Sequence, residues 1–182
     1  VRTWDKDGNV SPYSAPQTFT TEVGDAWAGK NGIWSPVVSD PYAATGWTDY
    51  ALECTIKISA SALGICFRAT NGNKDMYMWQ FKTDDNTLNV HNCKNGQFNS
   101  LESVSLSKYG ITLKTNTEYN VKIVAVGDNV VTYINDVCVD NRTVSDFSKG
   151  VIGFRTGSRE NGTVSQVLVY KTDSEGNKGD IL

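Results

Sequence analysis

Planar polar side chains recur in this chain within short β-rich segments, where their spacing can bring them onto one face of a sheet. Arg68 alternates with Phe67, and Gln80 alternates with Trp79 and Phe81, so each polar side chain points away from an apolar core. Groups that combine hydrogen-bond donors and acceptors in one plane suit a polar, uncharged ligand such as a sugar. The chemistry that these residues suggest is therefore ligand binding through hydrogen bonds.

Two further segments extend the polar face. Leu88 and Val90 alternate with Asn89 and His91, and Arg155 follows an apolar residue of a later segment. The predicted carbohydrate-binding residues are Arg68, Gln80, Asn89, His91 and Arg155. The alternative is a solvated polar face that binds no ligand, and the residue pattern alone favours neither interpretation.

The elements that must position these residues are strands. Short runs rich in Val, Ile, Thr, Tyr and Phe are separated by clusters of Gly, Asn, Asp and Ser, and helical periodicity is nearly absent. This pattern predicts an all-β, two-sheet antiparallel β-sandwich. Asn135-Asp136 predicts a primed hairpin turn, and residues 144–149 predict one helical turn ended by Gly150. The predicted strands are 50–59, 63–69, 76–83, 87–93, 118–126, 130–135, 137–140, 151–156 and 163–170.

Composition and charge exclude several classes of partner. The 182 residues carry a net charge of −3, so the chain lacks the basic excess that binding to a nucleic acid backbone requires. No run approaches the ~20 apolar residues of a membrane span, so no membrane insertion is predicted. Residues 1–5 lack the apolar core of a signal peptide. We therefore expect either a cytosolic protein or a segment from inside a longer exported polypeptide.

The sequence predicts neither a cofactor nor catalysis by this chain. The cysteines form no C-x-x-C pair and are predicted to be buried free thiols, and His91 is the only histidine, which argues against a zinc site. Glycoside hydrolysis needs two facing carboxylates, and no glutamate is closely spaced with a second acid along a strand face. Residues 71–75 are a candidate calcium site, although a polar turn explains the same residues.

Two parts of the chain resemble known domains. The loop Trp4-Asp5-Lys6-Asp7-Gly8-Asn9-Val10-Ser11 resembles the end of a fibronectin type III domain. Residues 47–171 are similar to concanavalin A-like, laminin G-like jelly rolls, through the strings at 64–68, 77–81 and 150–155. The predicted division is a fibronectin-like terminal hairpin at 1–22, a connector at 23–46, a jelly-roll β-sandwich at 47–171 and a linker at 172–182.

The order of these pieces resembles the N-terminal region of bacterial family 78 glycoside hydrolases, the α-L-rhamnosidases. In that family the catalytic acid and base lie in a separate α-helical barrel, and nothing in this chain is similar to the barrel. The resemblance implies a non-catalytic carbohydrate-binding or structural accessory module of an exported enzyme, in the periplasm, at the cell surface or outside the cell. Its implied partners are plant or microbial polysaccharides or oligosaccharides, including rhamnose-containing ones, and the catalytic domain of the same polypeptide.

Two other functions are compatible with the same residues. A small jelly-roll glycan hydrolase would have its active site on the concave sheet, with His91 and Arg68 taking part in turnover. A protein-interaction or adhesion module would require a broad exposed apolar or charged patch, which the sequence does not locate.

Overall fold

The fold is a sandwich of two antiparallel sheets, which confirms the predicted all-β class. The structure is a computed structural model that describes residues 47–70 and 74–181 and the backbone of residues 32–34. Among these residues, no helix combines the length and apolar composition needed to cross a membrane. The strands are β1 Gly32–Trp34, β2 Tyr50–Ala60, β3 Ala62–Thr70, β4 Asp75–Lys82, β5 Thr87–Lys94, β6 Gln97–Ser105, β7 Glu118–Val126, β8 Asn129–Ile134, β9 Val137–Thr143, β10 Val151–Thr156, β11 Asn161–Thr172 and β12 Lys178–Ile181.

Among the described residues, each sheet has six strands. The sheet with the order β1-β10-β3-β4-β5-β6 is called the front sheet, and the sheet with the order β12-β11-β2-β7-β8-β9 is called the back sheet. Their outward surfaces are called the front face and the back face. The inward side of each strand faces the core between the sheets, because side chains alternate across a strand. On the outward side of the front sheet, Cys66, Met76, Met78 and Cys93 belong to a second buried apolar cluster.

The core between the sheets is built from the aromatic residues that the alternation predicts to face inward. Phe67, Tyr77 and Trp79 are fully buried, and the rings of Phe67 and Trp79 meet edge to face with centroids 4.6 Å apart. The Trp79 indole Nε1 donates a hydrogen bond of 2.9 Å to Thr132 Oγ1 on the back sheet. A side-chain hydrogen bond therefore links the two sheets within the aromatic core.

Several predicted elements agree with the structure and others do not. Strands β7 and β10 have the predicted bounds, and Asn135 and Asp136 have φ values of 47° and 65°, as a primed turn requires. The helical turn predicted at 144–149 is wrong. The backbone amides of Val144 and Phe147 donate instead to the Asp128 carbonyl and the Tyr77 hydroxyl, so distant partners replace the local bonds of a helix.

Strands β6, β12 and β1 were not predicted. The side chains of β6 are largely exposed, so no apolar alternation marks this edge strand. Strand β12 pairs with β11 inside the predicted linker, and β1 pairs with β10 inside the predicted connector. Both flanking segments thus contribute an edge strand to the sandwich. The predicted fibronectin-like hairpin at 1–22 lies outside the described residues.

All four cysteines are free thiols, as expected. Cys54, Cys66 and Cys93 are buried, whereas Cys138 is exposed, contrary to the expectation that every cysteine is buried. Cys138 lies on β9, the outermost strand of the back sheet among the described residues. Burial raises the pKa of the Cys66 thiol to about 12, so this group stays protonated at neutral pH.

Candidate ligand-binding site

The front face carries four of the five predicted binding residues. The cross-strand register places Arg155 opposite Gly64, Gly64 opposite Gln80, and Gln80 opposite Asn89. His91 lies two residues further along β5 and therefore shares the same face. Strands β10, β4 and β5 thus bring these side chains into one polar row, as the alternation predicts.

A glycine lies in the middle of this row, and the Met78 side chain occupies the space that a side chain there would need. A Cβ at Gly64 would lie 2.8 Å from Met78 Sδ and 3.5 Å from Arg155 Cβ, so no larger residue fits without displacing the Met78 side chain. Because Gly64 has no side chain, Arg155 and Gln80 can approach each other across β3.

Arg68 is not part of the front face, and the prediction that it joins Gln80 there is wrong. The register between β3 and β4 shifts between Phe67 and Thr70, and Arg68 has a φ of 49°. Such a bulge interrupts the alternation and redirects the side chain. Arg68 is therefore fully buried, although simple counting along β3 places it outside.

The Arg68 guanidinium binds backbone carbonyls at one end of the sandwich. Its Nη1 donates to the Phe147 oxygen at 3.0 Å, and its Nη2 donates to the oxygens of Thr48 at 3.2 Å and Gly127 at 2.6 Å. Thr48 precedes β2, and Gly127 lies between β7 and β8, so the contacts reach from the front sheet to the back sheet. Arg68 joins the two layers and offers no donor to a ligand on the front face.

Glu160 lies beside Arg155, although the sequence pattern did not predict it as a site residue. Its Oε1 accepts a hydrogen bond of 2.7 Å from Gln80 Nε2, and its Oε2 accepts bonds from Arg155 Nη1 at 3.2 Å and the Gly157 amide at 2.6 Å. The carboxylate holds the glutamine amide and the guanidinium in fixed orientations. Strand alternation could not identify Glu160, because the turn between β10 and β11 carries it back over the sheet.

Phe98 adds an aromatic ring to the site. The Arg155 guanidinium carbon lies 5.4 Å from the centroid of this ring, and 38% of Phe98 is exposed. Strands β10 and β6 are four strand spacings apart in the front sheet, about 19 Å if the sheet were flat. One arginine side chain cannot span that distance, so the sheet must curve toward this face and make it concave.

His91 is held in its neutral form. Burial lowers the pKa of the imidazole first, and the positive charge of Arg155 lowers it further, whereas a hydrogen bond with the Asn99 backbone and the charge of Glu160 oppose these effects. Its Nε2 is buried and has no hydrogen-bond partner among the described residues. Because Nε2 is enclosed by the protein, it is not exposed to a ligand, and a binding role for His91 stays a prediction.

Asn89 completes the row next to edge strand β6. The Ser103 hydroxyl donates to Asn89 Oδ1 at 2.7 Å, which fixes the orientation of the amide. Within the part of the chain that the structure describes, the Asn89 amide nitrogen donates to no side chain. This nitrogen therefore remains available to a ligand oxygen.

The described residues contain no cluster of three or more His, Cys, Asp or Glu side chains that could hold a metal ion. Residues 71–73 of the candidate calcium turn lie outside the described ranges. Asp75, at the end of that turn, accepts a hydrogen bond of 2.7 Å from the Asn95 amide. The calcium site therefore stays a prediction.

The fold and the concave polar face define a class of structure, the jelly-roll β-sandwich found in carbohydrate-binding modules and galectins. No family model matches the chain, and no curated protein matches it. Carbohydrate-binding module CBM66 from Bacillus subtilis is similar with a TM-score of 0.63 and 20% identity, over 87% of this chain and 99% of that one. Galectin LEC-6 from Caenorhabditis elegans is similar with a TM-score of 0.52 and 14% identity, over 74% and 93% of the two chains. Sheep galectin-11, solved in complex with glycerol, gives a TM-score of 0.55 and 8% identity, over 76% and 96%.

Proposed function

We propose that this chain is a non-catalytic carbohydrate-binding module whose front face holds an oligosaccharide. The observation that carries the proposal is that Glu160 binds Gln80 and Arg155 on the front face, beside Asn89 and the exposed ring of Phe98. Structures of the same fold that are named as a carbohydrate-binding module and as galectins support it.

The charge balance of the front face favours a neutral ligand. Glu160 and Arg155 neutralise each other at 3.2 Å, so the site offers fixed polar groups without a strong net charge. A sugar ring presents several hydroxyl groups that both donate and accept, and it also has an apolar surface that an aromatic ring can contact. Asn89 and Phe98 supply those two kinds of contact.

The contacts of Glu160 favour binding over glycoside hydrolysis. Hydrolysis uses a carboxyl group that is free to exchange a proton with the substrate. Both oxygens of the Glu160 carboxylate instead accept hydrogen bonds from Gln80, Arg155 and the Gly157 amide, so the group is engaged by donors of the protein itself.

The parent protein in this proposal is an exported glycoside hydrolase of the α-L-rhamnosidase kind. Support for this finer statement comes from the fibronectin-like loop and the order of segments in the sequence. The expected ligands are then plant or microbial glycans, including rhamnose-containing oligosaccharides. The module would hold such chains near the catalytic domain of the same polypeptide, at the cell surface, in the periplasm or outside the cell.

The test is calorimetric titration of the full chain with a panel of plant and microbial oligosaccharides that includes rhamnose-containing ones. Arg155→Ala should weaken binding about tenfold or more, because a central anchor of a site contributes more than about 1 kcal/mol. Arg159→Ala is the matched control, since Arg159 is exposed in the same turn and should leave affinity unchanged. Absence of binding across the panel, or equal affinity of both variants, would overturn the proposal. Release of hydrolysis products would favour the enzyme alternative.

A further inference from the structure

The back face carries a second polar groove. The register aligns Glu53 with Lys122 and Lys122 with Tyr133, so three neighbouring strands contribute one row of side chains. This groove has a volume of about 320 Å³ and adjoins a second one of about 310 Å³, which shares Lys122 and Tyr133 with it. Together they reach the size range of small-molecule sites in proteins.

The charged residues of this groove disfavour an anion. Glu53 Oε1 accepts a hydrogen bond of 2.6 Å from the Tyr170 hydroxyl and lies 3.6 Å from Lys122 Nζ. This carboxylate and this ammonium balance each other, and Asp136 and Glu175 add negative charge to the lining. A neutral ligand with many hydrogen-bonding groups fits this arrangement better.

Two amide side chains retain unused hydrogen-bonding capacity. Thr55 Oγ1 lies 3.0 Å from Asn120 Oδ1 and 3.1 Å from Gln166 Oε1. One hydroxyl hydrogen can serve only one of the two oxygens, so one amide oxygen needs another partner. Neither amide nitrogen donates to any residue in the described ranges. Both amides can therefore bond to a ligand in the groove.

A strained backbone position supplies one of these amides. The register between β11 and β2 shifts between Ser165 and Leu168, and Gln166 in this bulge has a φ of 52°. A non-glycine residue rarely adopts this conformation, and bulges commonly re-aim a side chain next to a functional site. Here the bulge turns Gln166 toward Thr55 on the back face, where it lines the groove.

The adjoining part of the groove is less polar. Val124, Val126 and Val131 line it together with Tyr133, and all four are only partly buried. An aromatic ring and an apolar wall beside a polar floor provide the two kinds of surface that a sugar chain contacts.

From these contacts we propose that the back face is a second binding site, which takes a neutral, extended oligosaccharide along the row from Gln166 to Val131. The ligand class follows the proposed function, but the residues are independent of the front face. The sites lie on opposite sides of the sandwich, so one module holds two glycan chains, or two parts of one long chain, and gains avidity from both.

The experiment follows amide and side-chain NH₂ resonances of the isotopically labelled full chain during titration with neutral hexasaccharides of glucose, xylose and mannose and with a rhamnose-containing oligosaccharide. The titration is repeated with Arg155→Ala, which disables the front face. We expect saturable shifts at Asn120, Lys122, Tyr133 and Gln166 that persist in this variant. Gln166→Ala and Tyr133→Ala should each weaken the back-face response about fivefold or more. Tyr109→Ala, an exposed tyrosine outside the groove, is the control.

Four outcomes are distinguishable. Front-face shifts without any back-face shift would overturn the second site and leave the proposed function intact. Back-face shifts that vanish in Arg155→Ala would also overturn it, since they would be indirect. Back-face shifts alone would support the second site while contradicting the front-face proposal, and no shift on either face would overturn both.

Discussion

Gly150 packs against the backbone of Arg68 so closely that a Cβ at position 150 would lie 2.4 Å from the Arg68 carbonyl carbon. The Gly150 backbone has a φ of 142°, and its amide donates a hydrogen bond of 3.0 Å to the Trp47 carbonyl. This contact lies beside the bulge that turns Arg68 into the sandwich. Position 150 thus requires a glycine because the backbone at the start of β10 closely approaches β3. The prediction that Gly150 ends a helical turn is therefore wrong.

Substitution of Gly150 tests this close approach. Gly150→Ala should lower the free energy of unfolding by about 3 kcal/mol or more, because it adds a backbone clash to conformational strain. Gly96→Ala is the matched control: Gly96 has a φ of 82°, but a Cβ added there would have no atom within 4 Å, so about 1 kcal/mol of strain is expected. Urea unfolding measures both. Equal losses would contradict the close approach.

Arg68 is expected to affect stability and not ligand affinity. Arg68→Met leaves three carbonyl oxygens without their donor and should cost about 3 kcal/mol of unfolding free energy. Arg159→Ala, at an exposed position, should change stability by no more than about 0.5 kcal/mol. Chemical denaturation gives the comparison. Arg68→Lys retains the charge and should bind oligosaccharide as the wild type does. A loss of affinity without a loss of stability in this variant would show that Arg68 takes part in binding.

Phe98 should contribute to binding without being essential to the fold. Phe98→Ala removes the ring beside Arg155 and should weaken oligosaccharide binding about tenfold. Because the residue is 38% exposed, the loss of unfolding free energy should stay below about 2 kcal/mol. Tyr109→Ala removes another exposed aromatic ring at a distance from the cluster and serves as the control in calorimetry. If both variants bind as the wild type does, the ring does not contact the ligand.

His91 should make stability depend on pH. Its pKa in the folded chain lies below the ordinary value of 6.5, because burial and Arg155 disfavour the imidazolium, while Glu160 and the Asn99 backbone only partly compensate and Lys82 adds to the repulsion. Below pH 6.5 the unfolded chain therefore binds a proton that the folded chain does not, and stability decreases as the pH falls toward the folded pKa.

The measurement is urea unfolding of the wild type and of His91→Gln between about pH 7.5 and pH 5.5, a range above the titration of most carboxylates. The wild type should lose more unfolding free energy than the variant over this range. If the unfolding free energies of the two proteins changed in parallel with pH, the pKa of His91 would be the same in the folded and the unfolded chain.

Much of the fold follows from local patterns in the chain. Trp79 and Phe81 face the core while Gln80 faces outward, because the two-residue period of a strand fixes relative side-chain direction once the strand is identified. The turn at Asn135-Asp136 was likewise predictable, since these residue types tolerate positive φ. The same rules placed Gln80, Asn89, His91 and Arg155 together.

Other features depend on contacts that no local pattern encodes. Strand β6 has mostly exposed side chains and is defined by its pairing with β5. Glu160 joins the site through a turn whose path alternation does not describe. Gln166 and Arg68 both lie in bulges, where one extra residue changes the direction of a side chain.

By itself, the sequence determined the strand class, the aromatic core and which side chains share a face, because these follow from residue type and a period of two. The tertiary structure alone decided that Arg68 is buried, that Glu160 orients the front-face donors and that the front sheet curves far enough to bring Phe98 to Arg155. The physical reason is that bulges, turns and sheet curvature arise from packing between residues distant along the chain, whereas alternation is a property of each strand.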